Sequence, residues 1–332
     1  MKKVGLFPVI IIAFILILTG CSQSKSVNGT AEGKNTTVTI GYQQSLSPVL
    51  LAKEKGWFEK EFKKKGVNVK WAEFQSGPPQ FEAMSSGRID FAQVGNAPVI
   101  VGQAANIPFK EIALSSEGTK GNAILVQKNS KIKSLKDLKG KKIGVAKGSS
   151  GFNLLYVALN KAGIKPNDVQ IIQLQPDEAQ PAFESGKVDA WSIWEPFVSL
   201  QVIKKGARVL ADGTTLDLTS PGFTIVRSAF AKEHPELVVD FLKIYQKALT
   251  WQKKHPEQAI DFYAKAKGID KDVVRRVLVN NEMLNKVTTK KIINEQQKTA
   301  DFLYKQGTIK QKIDTSKVVD NSYIKKALKG SD

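Results

Sequence analysis

Cysteine is almost absent from this chain: Cys21 is the only one in 332 residues. No internal disulfide can form, so the fold has to rest on its apolar core even in an oxidising compartment. Histidine is nearly as scarce. His234 and His255 each stand before a proline in the C-terminal part. A Ser-His-Asp or Cys-His set cannot be assembled from them, and no His/Cys metal cluster is visible. No apolar run reaches the roughly 20 residues that span a bilayer. The longest, Val4 to Leu18, follows Lys2 and Lys3 and is followed by Thr19 and Gly20. A basic start, a short apolar segment and small residues after it read as an export signal over 1–20. Acidic side chains are in deficit, 31 against 50 Lys and Arg, for a formal charge of +19. Such a field favours anionic ligands and surfaces. The lysines, however, are scattered and not interleaved with aromatics, which argues against nucleic acid as a partner.

What is present begins with the boundary Leu18-Thr19-Gly20-Cys21. It resembles a bacterial lipobox, which implies that Cys21 becomes the mature N-terminus, carries lipid and tethers the protein to the outer face of the cell membrane. One acyl chain holds a membrane only marginally, so multiple acylation is implied. Residues 21–36, rich in Ser, Gly, Asn, Thr and Lys, suit a flexible tether. Roughly 290 residues remain, enough for two domains of ordinary size.

Beyond the tether, short strand-like runs alternate with helix-like stretches. Val38–Gly41, Val67–Phe74, Ile89–Val94, Glu111–Leu114, Ala123–Gln127, Lys142–Ala146 and Val169–Leu174 read as strands. Pro48–Lys55, Pro79–Ser86, Pro98–Ala105 and Phe152–Ala162 read as helices between them. This alternation predicts an α/β fold with mostly parallel sheets. From about Lys232 onward the periodicity becomes helical and amphipathic, as over Leu237–Lys253 and Lys271–Asn281.

The chain also echoes itself. Ala83-Met84-Ser85-Ser86-Gly87-Arg88-Ile89-Asp90 matches Ala182-Phe183-Glu184-Ser185-Gly186-Lys187-Val188-Asp189. In each copy a helix should end, Gly should supply a left-handed cap, and a strand should begin. An earlier pair, Ile40-Gly41 and Ile143-Gly144, corresponds at a similar offset. Two lobes on one plan are expected, facing each other across a cleft.

In open α/β sheets ligands bind beyond the carboxyl ends of strands. Three turns there should start helices whose free N–H groups point into the cleft and suit an oxyanion. These are Gln43-Gln44-Ser45-Leu46-Ser47-Pro48, Gly95-Asn96-Ala97-Pro98 and Lys147-Gly148-Ser149-Ser150-Gly151. The echo aligns Gly95 with Trp194 and Asn96 with Glu195, placing both at the strand end of the second lobe. Strand alternation puts Trp191 and Ile193 on one face and Ser192 and Trp194 on the other. Trp194 is expected to wall the cleft against an organic tail. Trp191 fits the core and the cleft about equally, and Glu195 either touches ligand or fixes its turn. Arg227 could pair with the anion, although a surface position suits it better.

These residues together resemble a family. Gly41-Tyr42-Gln43, Phe74-x-x-Gly77-Pro78, Gly95-x-x-Pro98, Lys147-Gly148-Ser149-Ser150 and Val188-Asp189-Ala190-Trp191-x-Ile193-Trp194-x-Pro196 are similar to the aliphatic-sulfonate-binding SsuA/TauA group of solute receptors. The similarity runs over nearly all of 36–320. It implies a type II periplasmic-binding-protein fold, with lobe 1 over 37–125 and 223–332 and lobe 2 over 126–222. Crossovers would lie near Ala123–Lys128 and Pro221–Arg227. It implies a monomer without cofactor that binds a small organic sulfonate and delivers it to the permease and ATPase of an ABC importer. Its sulfonate contacts map to Gln43, Ser45, Asn96, Gly148 and Ser149, with Trp191 and Trp194 near the tail. Gln44, Ala97, Lys147, Ser150 and Glu195 complete the candidate site. Rival readings are a receptor for taurine, nitrate, bicarbonate or a pyrimidine, and an enzyme on the same fold. A neutral pyrimidine needs no set of anion-binding turns, flat nitrate needs no tryptophan wall, and taurine needs an acid, which Glu195 or Glu117 could supply.

Overall fold

In the computed structural model, which describes residues 36–329, the two copies of the echo make the same hydrogen bonds. Gly87 and Gly186 turn the chain in the left-handed region (φ 70° and 75°), where a side chain would strain the backbone. The Asp that follows then clamps the start of a neighbouring strand. Thr39 N donates to Asp90 Oδ2 (2.9 Å) and Asp90 N donates to Thr39 O (2.8 Å). In the second copy Lys142 N donates to Asp189 Oδ2 (2.8 Å) and Asp189 N to Lys142 O (2.8 Å).

Two sheets grow from these clamps. The strands in chain order are β1 (Thr37–Gln43), β2 (Asn68–Phe74), β3 (Phe91–Gly95), β4 (Phe109–Glu117), β5 (Asn122–Val126), β6 (Lys142–Val145), β7 (Gln170–Gln173), β8 (Ala190–Trp194), β9 (Arg208–Asp212), β10 (Gly222–Arg227) and β11 (Glu282–Lys286). One sheet runs β2-β1-β3-β10-β4-β11, the other β7-β6-β8-β5-β9. The registers match: Ile40 pairs with Phe91 as Ile143 pairs with Ala190. Each sheet has a parallel trio followed by one antiparallel strand, β10 in the first, which joins from beyond the smaller sheet, and β5 in the second, which precedes its own trio in the chain.

Three expectations need correction. The first crossover falls at 118–121, not at Ala123–Lys128, because Asn122–Val126 already pairs with β8 and β9. That strand therefore lies in the sheet of the 126–222 segment. The second passage falls at 213–221, and Gly222–Arg227 is itself the antiparallel strand of the larger sheet. The stretch after Lys232 is not helical throughout: Glu282–Lys286 forms the edge strand β11 beside β4. Its burial is too short to show as a period, with Met283, Leu284 and Asn285 buried between exposed ends. Asn285 Nδ2 is held by Leu242 O and Gln246 Oε1, both at 3.1 Å.

The helix Pro235–Lys254 shows why the late helices form. Its buried positions Leu237, Val238, Phe241, Leu242, Tyr245, Ala248 and Leu249 recur at three and four residues, one stripe of the surface. Phe241 stacks on Phe91 at 4.2 Å, so the helix covers one face of the larger sheet. A fully buried Phe of this kind contributes about 1.5–3 kcal/mol. None of the described helices is long and apolar enough to cross a membrane. The export segment 1–20, Cys21 and the tether up to residue 35 lie outside the described residues.

One buried acid lies in the core of the larger sheet. Glu111 on β4 is 0 % exposed, and it accepts from Thr288 Oγ1 (2.9 Å) and Gln296 Nε2 (3.3 Å). Burial raises its carboxyl from 4.5 to about 7, with the two hydrogen bonds opposing. The neutral form is the one the fold holds. Its contribution to stability is complete below the ordinary glutamate range and is lost as pH rises through about 7. Glu111→Gln should therefore flatten the fall of Tm across that window. At mildly alkaline pH it should gain on the order of 3 kcal/mol over the parent, from the size of the shift. The buried, unpaired Gln296 Oε1 can accept from the new amide. Parallel pH–Tm curves for the two proteins would contradict the assignment.

Candidate functional site

Strand polarity decides where a cleft forms. The parallel trios end at Gln43, Phe74 and Gly95 in one sheet and at Val145, Gln173 and Trp194 in the other. Helices start just after these ends, at Pro48, Gly77, Asn96, Ser150, Pro176 and Phe197. The antiparallel strands enter beside them, with Asn122 paired to Trp194 and Gly222 paired to Gly95. The alignment of Gly95 with Trp194 read from the echo is thus a structural equivalence.

A solvent-open cleft of about 130 Å³ lies among these ends. Gln43, Ser45, Ser149, Ser150, Trp194 and Glu195 border it. Gln44, Asn96, Ala97, Lys147, Gly148 and Trp191 do not, for reasons that differ. Asn96 is buried, and its own Oδ1 accepts from the adjacent Ala97 N (2.9 Å), so the side chain is turned back on its own helix start. Ala97 packs among Ile100, Ala300 and Leu303. Lys147 is exposed, and Gly148 turns the chain at φ 72° beside Pro78 and Val101. Gln44 is half-buried outside the lining. Trp191 is 0 % exposed and lies between Phe183 (5.9 Å) and Phe197 (5.7 Å). It is a core residue, since its face of β8 turns away from the cleft.

Arg227 is also not an anion ligand. Its Nη2 and Nε donate to Asp90 Oδ1 at 2.6 and 3.1 Å, bracing the first clamp.

The roles of the bordering residues can be read from their bonds. Ser149 Oγ is spent on local structure: it accepts from Phe152 N (3.1 Å) and donates to Ala146 O (2.7 Å). That cap leaves the first N–H groups of the helix Ser150–Ala162 without intrahelical partners at the cleft edge. Ser150 follows, and it explains Gly95: a methyl group on Gly95 would stand 2.0 Å from Ser150 Oγ. Gln43 Nε2 is anchored on Gln93 O (2.9 Å). Glu195, 4 % exposed, accepts from Ser199 Oγ (2.7 Å) and Asn280 Nδ2 (2.7 Å) at Oε1 and from Ser199 N (3.0 Å) at Oε2. Burial pushes its carboxyl up, against the opposing pull of Asn280, Ser199 and nearby Arg276. Glu195 therefore fixes its own turn and ties it to the end of the helix Lys271–Asn280.

Several bordering residues escaped the sequence reading: Gln93, Ser115, Ser116, Asn122, Ser220, Asn281 and Met283. Ser220-Pro221-Gly222 carries a turn signature that could have been used. Asn281 and Met283 sit in a stretch read as helix and gave no signal.

Among the described residues no Lys, Arg or His borders the cleft, and Glu195 is the one ionisable side chain there. The donors are neutral hydroxyls, amides and helix N–H groups. Such a site can hold an anion by dipoles and hydrogen bonds, without a counter-charge. No group of three or more His, Cys, Asp or Glu able to hold a metal occurs among the described residues.

Comparison with known proteins agrees with this architecture. Residues 43–259 match the family described as NMT1/THI5 like. A Bacillus subtilis protein named for binding aliphatic sulfonates is 56% identical over 328 residues, 99% of this chain and 97% of that one. The alkanesulfonate-binding protein SsuA of Xanthomonas axonopodis pv. citri, solved bound to MOPS, superposes with a TM-score of 0.79 at 31% identity, over 86% of this chain and 98% of that one. The periplasmic aliphatic sulphonate binding protein SsuA of Escherichia coli gives 0.75 at 33% identity, over 87% and 99%. The equivalent strand ends, the neutral cleft and these likenesses converge: the chain belongs to the NMT1/THI5-like family and has the fold of the SsuA solute-binding proteins.

Proposed function

We propose that this chain is the solute-binding component of an ABC importer and that its cleft takes the head group of a small organic sulfonate. The observation that carries this is the lining itself, hydroxyls, amides and helix starts from both sheets with no cation among them. A sulfonate is a permanent anion with three acceptor oxygens. Removing it from water requires many hydrogen bonds, which such a lining supplies from both sides. Half-buried Trp194 offers an apolar wall for the tail. Relatives named for sulfonate binding support the same reading. Binding from both sides draws the sheets together by hinge motion, and the closed form is what the permease receives. Lipidated Cys21 holds the protein at the outer face of the membrane, as a monomer. Ligand leaves unchanged, a reading supported by relatives named as binding proteins.

A thermal-shift and calorimetry panel of ethanesulfonate, taurine, sulfate, nitrate and hydroxymethylpyrimidine tests this. An organic sulfonate at 100 times its Kd should add about 2.7 kcal/mol of stability. Nitrate or the pyrimidine raising Tm while every sulfonate fails would overturn the proposal. Affinity should hold on mild acidification, because sulfonates stay ionised and no Lys, Arg or His borders the cleft among the described residues.

A further inference from the structure

The one carboxylate at the cleft is covered, and the residue that covers it comes from the far C-terminal part of the chain. Asn280 ends the helix Lys271–Asn280, whose helix neighbour across the chain is Phe197–Lys205. Its Nδ2 lies 2.7 Å from Glu195 Oε1, an oxygen that already accepts from Ser199 Oγ. Its backbone carbonyl stands close to Gly118, and Asn281 beside it borders both the cleft and Gly121. Glu195 N in turn donates to Gly121 O (2.9 Å). Asn280 is thus held between the first crossover and the Glu195 turn, and with Ser199 Oγ its amide gives Glu195 Oε1 two donors, against one at Oε2.

We propose that Asn280 is a specificity-determining residue: by occupying Glu195 Oε1 it makes the cleft select sulfonates that carry no ammonium group. The inference rests on the sulfonate reading above and sharpens it. A primary ammonium brought into a buried site must be paired or it remains in water. The cleft has one acid that could pair it, and that acid is engaged by Ser199 and Asn280. A sulfonate ending in a methyl group asks nothing of Glu195.

Taurine and 1-propanesulfonate form the matched pair, equal in heavy atoms and differing in ammonium against methyl. In the parent protein 1-propanesulfonate should bind at least tenfold tighter. In Asn280→Ala, Oε1 is uncovered, and the ratio of the two Kd values should move toward taurine by roughly 10- to 100-fold, the range of one charge-assisted hydrogen bond. The double variant Asn280→Ala/Glu195→Gln should lose that gain, because the amide offers no charge. Calorimetric Kd values for both ligands, with Tm for each protein, provide the readout. Equal weakening of both ligands in Asn280→Ala, with the ratio unchanged, means a merely structural contact and overturns the inference while leaving the sulfonate reading intact. Taurine binding as tightly as 1-propanesulfonate in the parent overturns it as well. If neither binds the parent, the sulfonate reading fails and takes this inference with it.

Discussion

Ser150→Glu should reduce sulfonate affinity about a thousandfold while leaving the fold as stable as before, or more so. Ser150 is the first residue of the helix Ser150–Ala162 and borders the cleft where that helix meets Gly95. A carboxylate there would share the space of the anion. Two like charges about 4 Å apart repel by about 4 kcal/mol at the effective dielectric of a partly buried site. That is a factor of about a thousand in Kd. Size acts in the same direction. The contact between Gly95 and Ser150 leaves no room for even one added carbon on Gly95, so a longer side chain at 150 props the sheets apart. The stability forecast has the opposite sign. Acidic residues in a first helical turn favour the helix dipole by about 0.3–1 kcal/mol. Calorimetry and thermal denaturation on one sample separate the two effects. Affinity within a few-fold of the parent would show that the anion does not sit at this helix start. A collapse of Tm would show that Ser150 matters for folding instead.

Trp191→Ala should cost 3–5 kcal/mol of stability, the range for emptying a large aromatic from a packed core. Trp191 is the largest fully buried side chain, wedged with Phe183, Phe197 and Val188 under the smaller sheet. Urea unfolding should show the midpoint falling at nearly constant slope. Trp194→Ala should do the reverse, with little loss of stability and weaker binding of long-tailed sulfonates. Two tryptophans three positions apart are expected to separate into a folding residue and a binding residue. Similar unfolding midpoints for the two variants would contradict the assignment of Trp191 to the core.

That contrast also marks how far residue order alone could be read. The echo ending in Asp90 and Asp189 was legible because its chemistry is local: a glycine cap, then a carboxylate one strand away. It predicted the duplicated plan and the pairing of Gly95 with Trp194. Strand alternation alone did not separate Trp191 from Trp194: both touch the apolar cluster beside β8, and which of them reaches the cleft depends on where helices pack. The turn at 147–151 was visible as Gly and Ser, yet its hydroxyls are shared out by tertiary geometry, with Ser149 closed on its own helix and Ser150 left at the cleft. Asn96, read as a ligand contact, has its Oδ1 taken by the adjacent Ala97 N. Asn280 and Asn281 carried no sign at all. Their place beside Glu195 comes from a strand and helix more than eighty positions away folding back, and no local pattern encodes that distance.

The central place of the late strand β10 in the larger sheet governs the order in which this protein can acquire structure. β10 lies between β3 and β4, so until residue 227 is available the larger sheet is two disconnected pieces. An N-terminal fragment stopping at the first crossover would own β1 to β4 and still lack the strand that joins β3 to β4. The smaller sheet, β5 to β9, is contiguous over 122–212 and can pair as soon as it is made, whereas the slow, long-range closures of the larger sheet come last. The larger sheet of a nascent chain therefore stays incomplete until most of the protein has been synthesised.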